Sequence, residues 1–509
     1  MSLNQSMNIS IGSMKNNQYA LTVVSQNIAN LHVEGYHRQR INFETNEYTT
    51  NCENVISTIK GMNGASVSSL TDFIDDAAFK NLLNSNSDAE YYNTLADSIG
   101  DLEDISDDLG DNGLNALLNE FFKASADLEQ FPTDMTIRQQ YVMAAQNICD
   151  KFNQISNKCT SLQDDKFQTI DTNVDTINSL LNDLAVVNQN HVKNNQSSAT
   201  QVEIQGILEE LSNYMDITTT QNANGTVNVL VAGMEVVRGG EQKYSLQAKC
   251  DSTDPENAVT FSLKSTENPD YIVEHGVNEA FKSGSLRAQV EFLNGSGKGF
   301  TNVNDIRNAI DEAASAFANA LNEIQLYDNG DVFAASITTA QNGDLALEKA
   351  TEPMFTSKNG GAINASNIQV NLNIVEDPFK VSAARIDLNN YEAGEDWTKS
   401  IGNSDNATQI TALQNAKICS VNGGANNATL SQFLMNNAAK TGSDIAAIEA
   451  KAQTAQDIAD ADATNYSNIV GVNLDEELAD MIKYQRAFEA SAKIFSTVND
   501  LMGTIIGMV

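Results

Sequence analysis

Asn473-Leu474-Asp475-Glu476-Glu477-Leu478-Ala479-Asp480-Met481-Ile482-Lys483-Tyr484-Gln485-Arg486-Ala487-Phe488 opens the stretch whose reading decides the fold. Asparagine is a favoured N-cap, and Asp475 and Glu476 set negative charge against the positive end of a helix dipole. Glu476 also stands three residues on, at capping-box spacing. From Leu474 a seam runs in strict four-three steps through Leu478, Met481, Gln485, Phe488, Ala492, Phe495, Asn499, Met502 and Ile506. That alternation predicts one long helix, ~50 Å from end to end, with a partner along it. A second apolar face, Ile482, Ile494, Val498, Leu501 and Ile505, lies off the seam. A helix apolar on more than one side has to be surrounded, and one partner helix covers only one face.

The partner is expected at the opposite end of the chain. Residues 3–31 carry Met7, Ile11, Met14, Leu21 and Ile28 in the same alternation, with polar Gln18 and Ser25 in the gaps. Asn30 and Gly35, both tolerant of left-handed backbone, read as stop signals. Pairing the two ends leaves apolar surface over, and each exposed Phe, Leu or Ile forfeits roughly 1.5–3 kcal/mol of burial. The source of the missing cover is then a neighbouring molecule. Met7, Ile11, Met14, Leu21, Ile28, Leu474, Leu478, Met481, Phe488, Phe495, Val498, Met502 and Ile506 are the expected assembly interface.

Between the ends the register changes twice. Residues 42–70, rich in Asn, Thr, Ser and Gly, read as extended or loop. Helical periodicity then runs from Asp72 to about Met215, broken at Pro132, resumed over 137–162, and continued in a separate helix over 167–190 and another over 202–215. Thr226 to Gly239 has the alternation and turn of a hairpin. Residues 258–263 and 368–374 read as strands, with helices over 303–326 and 408–418, and a final helical part from Leu430. The predicted class is mainly α with a β-rich insert: terminal coiled coil, a long-helix bundle body and an inserted β module. The expected division is 1–40 with 471–509, 41–218 with 381–470, and 219–380 including the helix near 303–326.

Composition narrows the partners. With 67 acidic and 30 basic residues the net charge is −37, which disfavours nucleic acid and anionic membrane surfaces. No stretch approaches the ~20 apolar residues of a membrane span, and the start lacks the basic and apolar regions of a cleaved signal peptide. The five cysteines, Cys52, Cys149, Cys159, Cys250 and Cys419, form no CxxC pair. Cys149 and Cys159 fall on one helix ~15 Å apart, beyond disulfide reach, so buried apolar roles are expected.

His32, His37, His191 and His275 make no HExxH or other metal-spaced pair, and His32 and His37 read as surface residues around a turn. Gly295-Ser296-Gly297-Lys298-Gly299 lacks the spacing of a phosphate loop and reads as a turn. Paired acids such as Asp107-Asp108 arise by chance at this acidity, and neither a GxSxG elbow nor an EF-hand loop is present. No catalytic residue, cofactor or metal ligand is expected.

Two motif blocks carry a resemblance. Asn27-Ile28-Ala29-Asn30-Leu31-His32-Val33-Glu34-Gly35-Tyr36-His37-Arg38 is similar to the NIAN-x-x-T-x-GY-x-R block of the flagellar rod, hook and hook-associated axial proteins, with Val33 where Thr is common. Gly471-Val472-Asn473-Leu474-Asp475-Glu476-Glu477 resembles that family's GVNLDEE, and Tyr484-Gln485-Arg486-Ala487-Phe488 its YQ-x-A-(F/Y). Gly113-Leu114, Phe121-Phe122, Pro132, Arg138, Phe152-Asn153 and Leu208-to-Ser212 resemble the hook-associated branch rather than hook or rod. The resemblance implies a structural, non-enzymatic protein of the hook–filament junction. It implies type III export, an export chaperone of FlgN type, and hook protein, a second junction protein and further copies of the chain as partners. It also implies termini that line a tube and a location outside the cell in the flagellum. A different axial role, or a secreted adhesin or enzyme, is the alternative.

Overall fold

The computed structural model describes residues 3–33, 36–51, 58–72, 75–109, 113–194, 198–274, 276–392, 395–421 and 425–507. Gly35, Cys52 and His275, named above, lie outside them. The chain opens with α1 (Leu3–Ala29), followed by the antiparallel strands β1 (Gln39–Asn51) and β2 (Thr58–Asp72), so the expected loop holds a hairpin. A helical body follows: α2 (Asp76–Gly100), α3 (Glu103–Asp107), α4 (Leu114–Gln130), α5 (Met135–Lys193) and α6 (Ser198–Tyr214). Next come β3 (Thr218–Gln221), β4 (Val227–Val231), β5 (Met234–Arg238) and β6 (Glu241–Gln242) in one sheet in that order. The sheet β7 (Tyr244–Cys250), β8 (Val259–Ser265) and β9 (Ile272–Val273) precedes α7 (Val277–Ala280), α8 (Ser285–Leu293) and α9 (Val303–Gln325). Strands β10 (Val332–Thr339), β11 (Leu345–Lys349), β12 (Phe355–Ser357) and β13 (Ile368–Val370), helix α10 (Leu372–Glu376) and strand β14 (Ala384–Asp387) complete the insert. The chain closes with α11 (Asp405–Ala412), α12 (Leu430–Val470) and α13 (Leu474–Ile506).

Three expectations change. The helices read separately over 137–162 and 167–190 are the single 59-residue α5, begun by the Asp134 cap on the amides of Thr136 and Ile137. Between them Gln163 is buried, where its amide oxygen accepts from Arg307 at 2.8 Å. Its Nε2 has no partner among the described residues, yet a buried polar side chain leaves the backbone ladder intact and interrupts only the apolar pattern. The alternation over 368–374 ends as a strand at Val370. Asn371 turns its side chain onto the amide of Asn373 and starts α10 instead. The helix read over 408–418 stops earlier, and Cys419 pairs with Ala428 as an isolated bridge.

The sheets share the core of the helical body. Phe121 packs on Phe317 at 5.3 Å and Phe317 on Phe355 at 5.2 Å between ring centroids, joining α4, α9 and β12. A separate small cluster surrounds Phe333, with Trp397 edge-on to it. Open strand backbone is gripped by asparagine amides, each binding one residue through both its N–H and its C=O. Asn178 holds Leu246, Asn188 holds Val227, Asn294 holds Val259 and Asn322 holds Phe355. These amides satisfy groups that the sheets leave unpaired. Arg138 does similar work with a charge. Its guanidinium donates to the carbonyls of Pro132, Pro378, Phe379 and Val381. Burial drives its pKa down to about 10.

Cys149, Cys159, Cys250 and Cys419 are free thiols. Burial raises Cys149 to about 12 and Cys159 to about 11. Thiols so far from ionising behave as small apolar side chains.

Candidate functional site at the paired chain ends

Helices α1 and α13 lie antiparallel, with Asn27 against Glu477 at 3.1 Å and Ser13 against Ser491 at 2.8 Å. The buried positions of the pair mix polar and apolar side chains: Ser10, Ala20, Val23, Val24 and Asn27 on α1, and Glu477, Ser491 and Val498 on α13. Along α13 the row turned to α1 is Glu477, Met481, Tyr484, Ser491, Phe495, Val498 and Met502. The expected row shared Met481, Phe495 and Met502 but continued through Leu478, Gln485 and Asn499, which are exposed. The helix is thus rotated by about one residue from its apolar optimum.

Glu477 supplies the reason. It is 1% exposed, and its Oε1 accepts from Arg38 Nε at 2.6 Å while Oε2 accepts from Asn27 Nδ2. Leaving such a carboxylate buried without partners costs 3–5 kcal/mol, more than the roughly 1.5–3 kcal/mol gained by burying Leu478 in its place. Arg38 also donates to Glu476 at 2.5 Å and lies 3.6 Å from Asp480. Burial works against the Arg38 charge, and Glu477 and Glu476 more than offset it, so its pKa lies above the ordinary arginine value.

The N-terminal motif is built around Asn27. Its Oδ1 accepts from the Tyr36 hydroxyl at 2.9 Å and the Gln39 amide at 3.1 Å, and its Nδ2 also donates to the Gln39 carbonyl. Asn30 closes the turn after α1 by accepting from the Val33 amide. The Arg38 amide donates to the Val470 carbonyl at 2.9 Å, tying the strand to the end of α12. Gly471 follows; a Cβ there would lie 2.4 Å from the Ser467 carbonyl oxygen, so the tight exit from α12 needs glycine. Asn473 caps α13 as expected, accepting from Asp475 and Glu476 amides. The Glu476 carboxylate turns to Arg38 instead of completing a capping box.

His37 corrects an expectation. It is 6% exposed, not a surface residue, and its ring stands edge-on to Tyr466 at 5.9 Å. In an extended segment Tyr36 and Arg38 face one side, toward Asn27 and Glu477, so His37 faces the other, toward the body. There Tyr466 also meets Phe79 at 5.3 Å and accepts from Gln205 at 3.0 Å. The joint therefore has a charged side and an aromatic side.

Of the residues expected at the assembly interface, Met7, Ile11, Met14, Leu21, Ile28, Met481, Phe495 and Met502 are half-buried and Val498 is buried. Leu474, Leu478, Phe488 and Ile506 are exposed, as are Ile482, Ile494, Leu501 and Ile505. Tyr484 is half-buried and Gln485 exposed. Sequence reasoning passed over Glu477 and Asp480 as site residues. Two acids after a cap look like dipole partners, and Arg38, 439 positions away from Glu477, gives no local signal. Among the described residues no group of three or more His, Cys, Asp or Glu is placed to hold a metal ion, and no helix is long and apolar enough to cross a membrane.

Residues 99–329 match the family model for the flagellar hook-associated protein FlgK helical domain, and residues 463–508 match that for the flagellar basal body rod FlgEFG protein C-terminal region. The chain is 25% identical over 528 residues to flagellar hook-associated protein 1 of Bacillus subtilis (strain 168), covering 96% of this chain and 95% of that relative. The chain is therefore similar to hook-associated proteins of the FlgK type over nearly its whole length. Its fold is similar to that of the flagellar hook junction protein FlgK from Burkholderia pseudomallei, with a TM-score of 0.57 at 11% identity over 76% of this chain and 99% of that one. The two motif blocks that carry the family resemblance are the two halves of the clasp: Asn27, Tyr36 and Arg38 on one side, Glu476 and Glu477 on the other.

Proposed function

We propose that this chain is a structural junction subunit of the bacterial flagellum that joins hook to filament and catalyses no reaction. The observation that carries this reading is the apolar surface that the α1–α13 pairing leaves outside: Leu474, Leu478, Ile482, Phe488, Ile494, Leu501 and Ile505. At roughly half exposure each has about 1 kcal/mol of burial still to gain. Other copies of the chain, placed side by side in a ring or tube, supply that burial.

In this reading residues 1–40 with 471–509 form the tube-core domain, residues 41–218 with 381–470 the helical body, and residues 219–380 an outer module. The chain leaves the cell without a cleaved signal peptide through the flagellar type III apparatus, held beforehand by a FlgN-type chaperone. It then meets hook protein on one side and the second junction protein on the other. The relative's name and the helical-domain match support a junction role over hook or rod, and the rod-type C-terminal match and exposed apolar flanks support an axial role over an adhesin.

Removing residues 484–509 tests it. The shortened chain is expected to melt like the full one through its body but to associate with neither itself nor hooks. A strain lacking the gene is expected to carry intact hooks without filaments and to release filament subunits into the medium. Junctions built by the shortened chain would overturn the reading.

A further inference from the structure

Strand β3 is the outer strand of its sheet and pairs with β4 alone. The Asn222 amide donates to the Thr226 carbonyl at 2.8 Å. The register carries that hydrogen-bonded alternation back to Thr220 opposite Asn228 and Thr218 opposite Leu230. The N–H and C=O of Thr219 and Gln221 therefore point away from the sheet, and among the described residues they form no hydrogen bond beyond it. All four residues of β3 are exposed or half-buried. An open edge of this kind is a template for another extended segment.

The same edge borders a pocket of about 210 Å³ between α2, α6 and β3, with Thr219 and Gln221 in its lining. Phe79, Leu83, Ile204 and Leu208 give it apolar walls. Gln205 also lines it and is 4% exposed. The Gln205 Nε2 donates to the Tyr466 hydroxyl at 3.0 Å, while its Oε1 has no partner among the described residues. A buried acceptor left open is costly, and a donor entering the pocket removes that cost.

Charge selects the donor. Asp76 lines the pocket, and burial together with the negative charges of Glu209, Asp76 and Asp75 raises the pKa of the Tyr466 hydroxyl that Gln205 binds. Against these carboxylates the lining offers Lys80, which is exposed. The chain as a whole carries −37. A lysine or arginine side chain meets both demands, with an aliphatic stem for the apolar walls and N–H donors at its head. The volume is below the ~300–1,000 Å³ of small-molecule sites, which suits a single side chain.

We propose that the β3 edge is a docking site for an extended, basic segment of a partner protein. The segment pairs with the outward groups of Thr219 and Gln221 as an added strand and places one Lys or Arg side chain in the pocket, against Gln205 Oε1. Main-chain pairing supplies affinity and the pocket supplies selectivity. Neither α1 nor α13 takes part, so the site stands apart from the polymer reading.

Short β-prone peptides, capped at both ends and differing only in a central Lys, Arg, norleucine or Glu, test it by fluorescence anisotropy against the full-length chain. The Lys and Arg peptides are expected to bind about tenfold more tightly than the norleucine one, and the Glu peptide most weakly. Thr219→Pro removes an outward N–H that the β3–β4 ladder does not use, and should weaken every peptide about tenfold. Gln205→Met keeps the length of the side chain without its acceptor, and should bring the Lys and Arg peptides to within about twofold of norleucine. Circular dichroism and thermal melting check that each variant keeps the fold. A parent chain that binds none of the peptides, or binding that survives Thr219→Pro unchanged, overturns the strand addition. A Glu peptide as tight as the Lys one, or charge selectivity undiminished in Gln205→Met, overturns the pocket's part in it.

Discussion

Phe121 in the body and Phe488 in the terminal pair are the same side chain used in opposite ways. The first is fully enclosed by Tyr141, Phe122 and Phe317; the second, on a helix no less regular, is 36% exposed. Charge divides the molecule along the same line. Residues 1–40 hold three basic and one acidic residue, and residues 471–509 three basic and six acidic, so the ends carry only −1 of the net −37. Bodies of like charge repel over a Debye length of ~8 Å at physiological salt, whereas nearly neutral ends can approach closely. In the proposed assembly, contact at the ends would meet the least charge repulsion.

Cutting into the body should have the largest effect. Phe121→Ala is expected to cost about 4 kcal/mol of global stability, read from chemical denaturation, because three aromatic neighbours lose a packing partner. Phe488→Ala should leave that transition in place; an equal loss from both would erase the distinction between the regions. Next comes the clasp. Arg38→Ala leaves Glu477 buried without its cation and should cost about 3 kcal/mol locally. Hydrogen exchange should report it as lost protection in α1 and α13 with the amides of α5 unchanged. Loss spreading into α5 would mean that ends and body unfold as one unit.

The flanks come third. Leu478→Ser with Ile482→Ser should alter monomer stability by less than about 0.5 kcal/mol, since both are exposed, yet raise the association concentration severalfold. A monomer destabilised by several kcal/mol would place those residues in the monomer's own core.

Acid titration should give the smallest effect and confine it to the body. Burial raises the pKa of Glu90, against the Thr94 hydroxyl, and that of Glu209. These groups bind protons more tightly folded than unfolded, so stability grows as pH falls through their folded values toward the unfolded ones. Asp108 acts in reverse. Burial favours its protonation, but Lys151 and Lys158 outweigh that and lower its pKa. Its contribution is complete above the unfolded value near 4 and disappears below it. Thermal melts should therefore rise by a degree or two as pH falls toward the ordinary glutamate value near 4.3, and fall again below about pH 4. A steady fall from pH 7 would contradict the sign assigned to Glu90 and Glu209.

By itself the sequence determined where the long helical stretches lie, that the two ends pair, and that their apolar residues outnumber the positions one partner can cover. Those properties follow from periodicity, caps and composition, all written within a few turns of chain. It also marked Asn27, Tyr36, Arg38 and Asn473 through motif blocks, without saying what they touch. Only the tertiary structure decided the rotation of α13, because that depends on Arg38 reaching a carboxylate 439 positions away. Only there did α5 emerge as one helix, His37 turn inward onto Tyr466, and asparagines on distant helices prove to grip strand backbone. Local pattern ranks side chains by their apolarity. The fold ranks them by whether a buried polar atom finds its partner, and a single unpaired carboxylate outweighs a leucine.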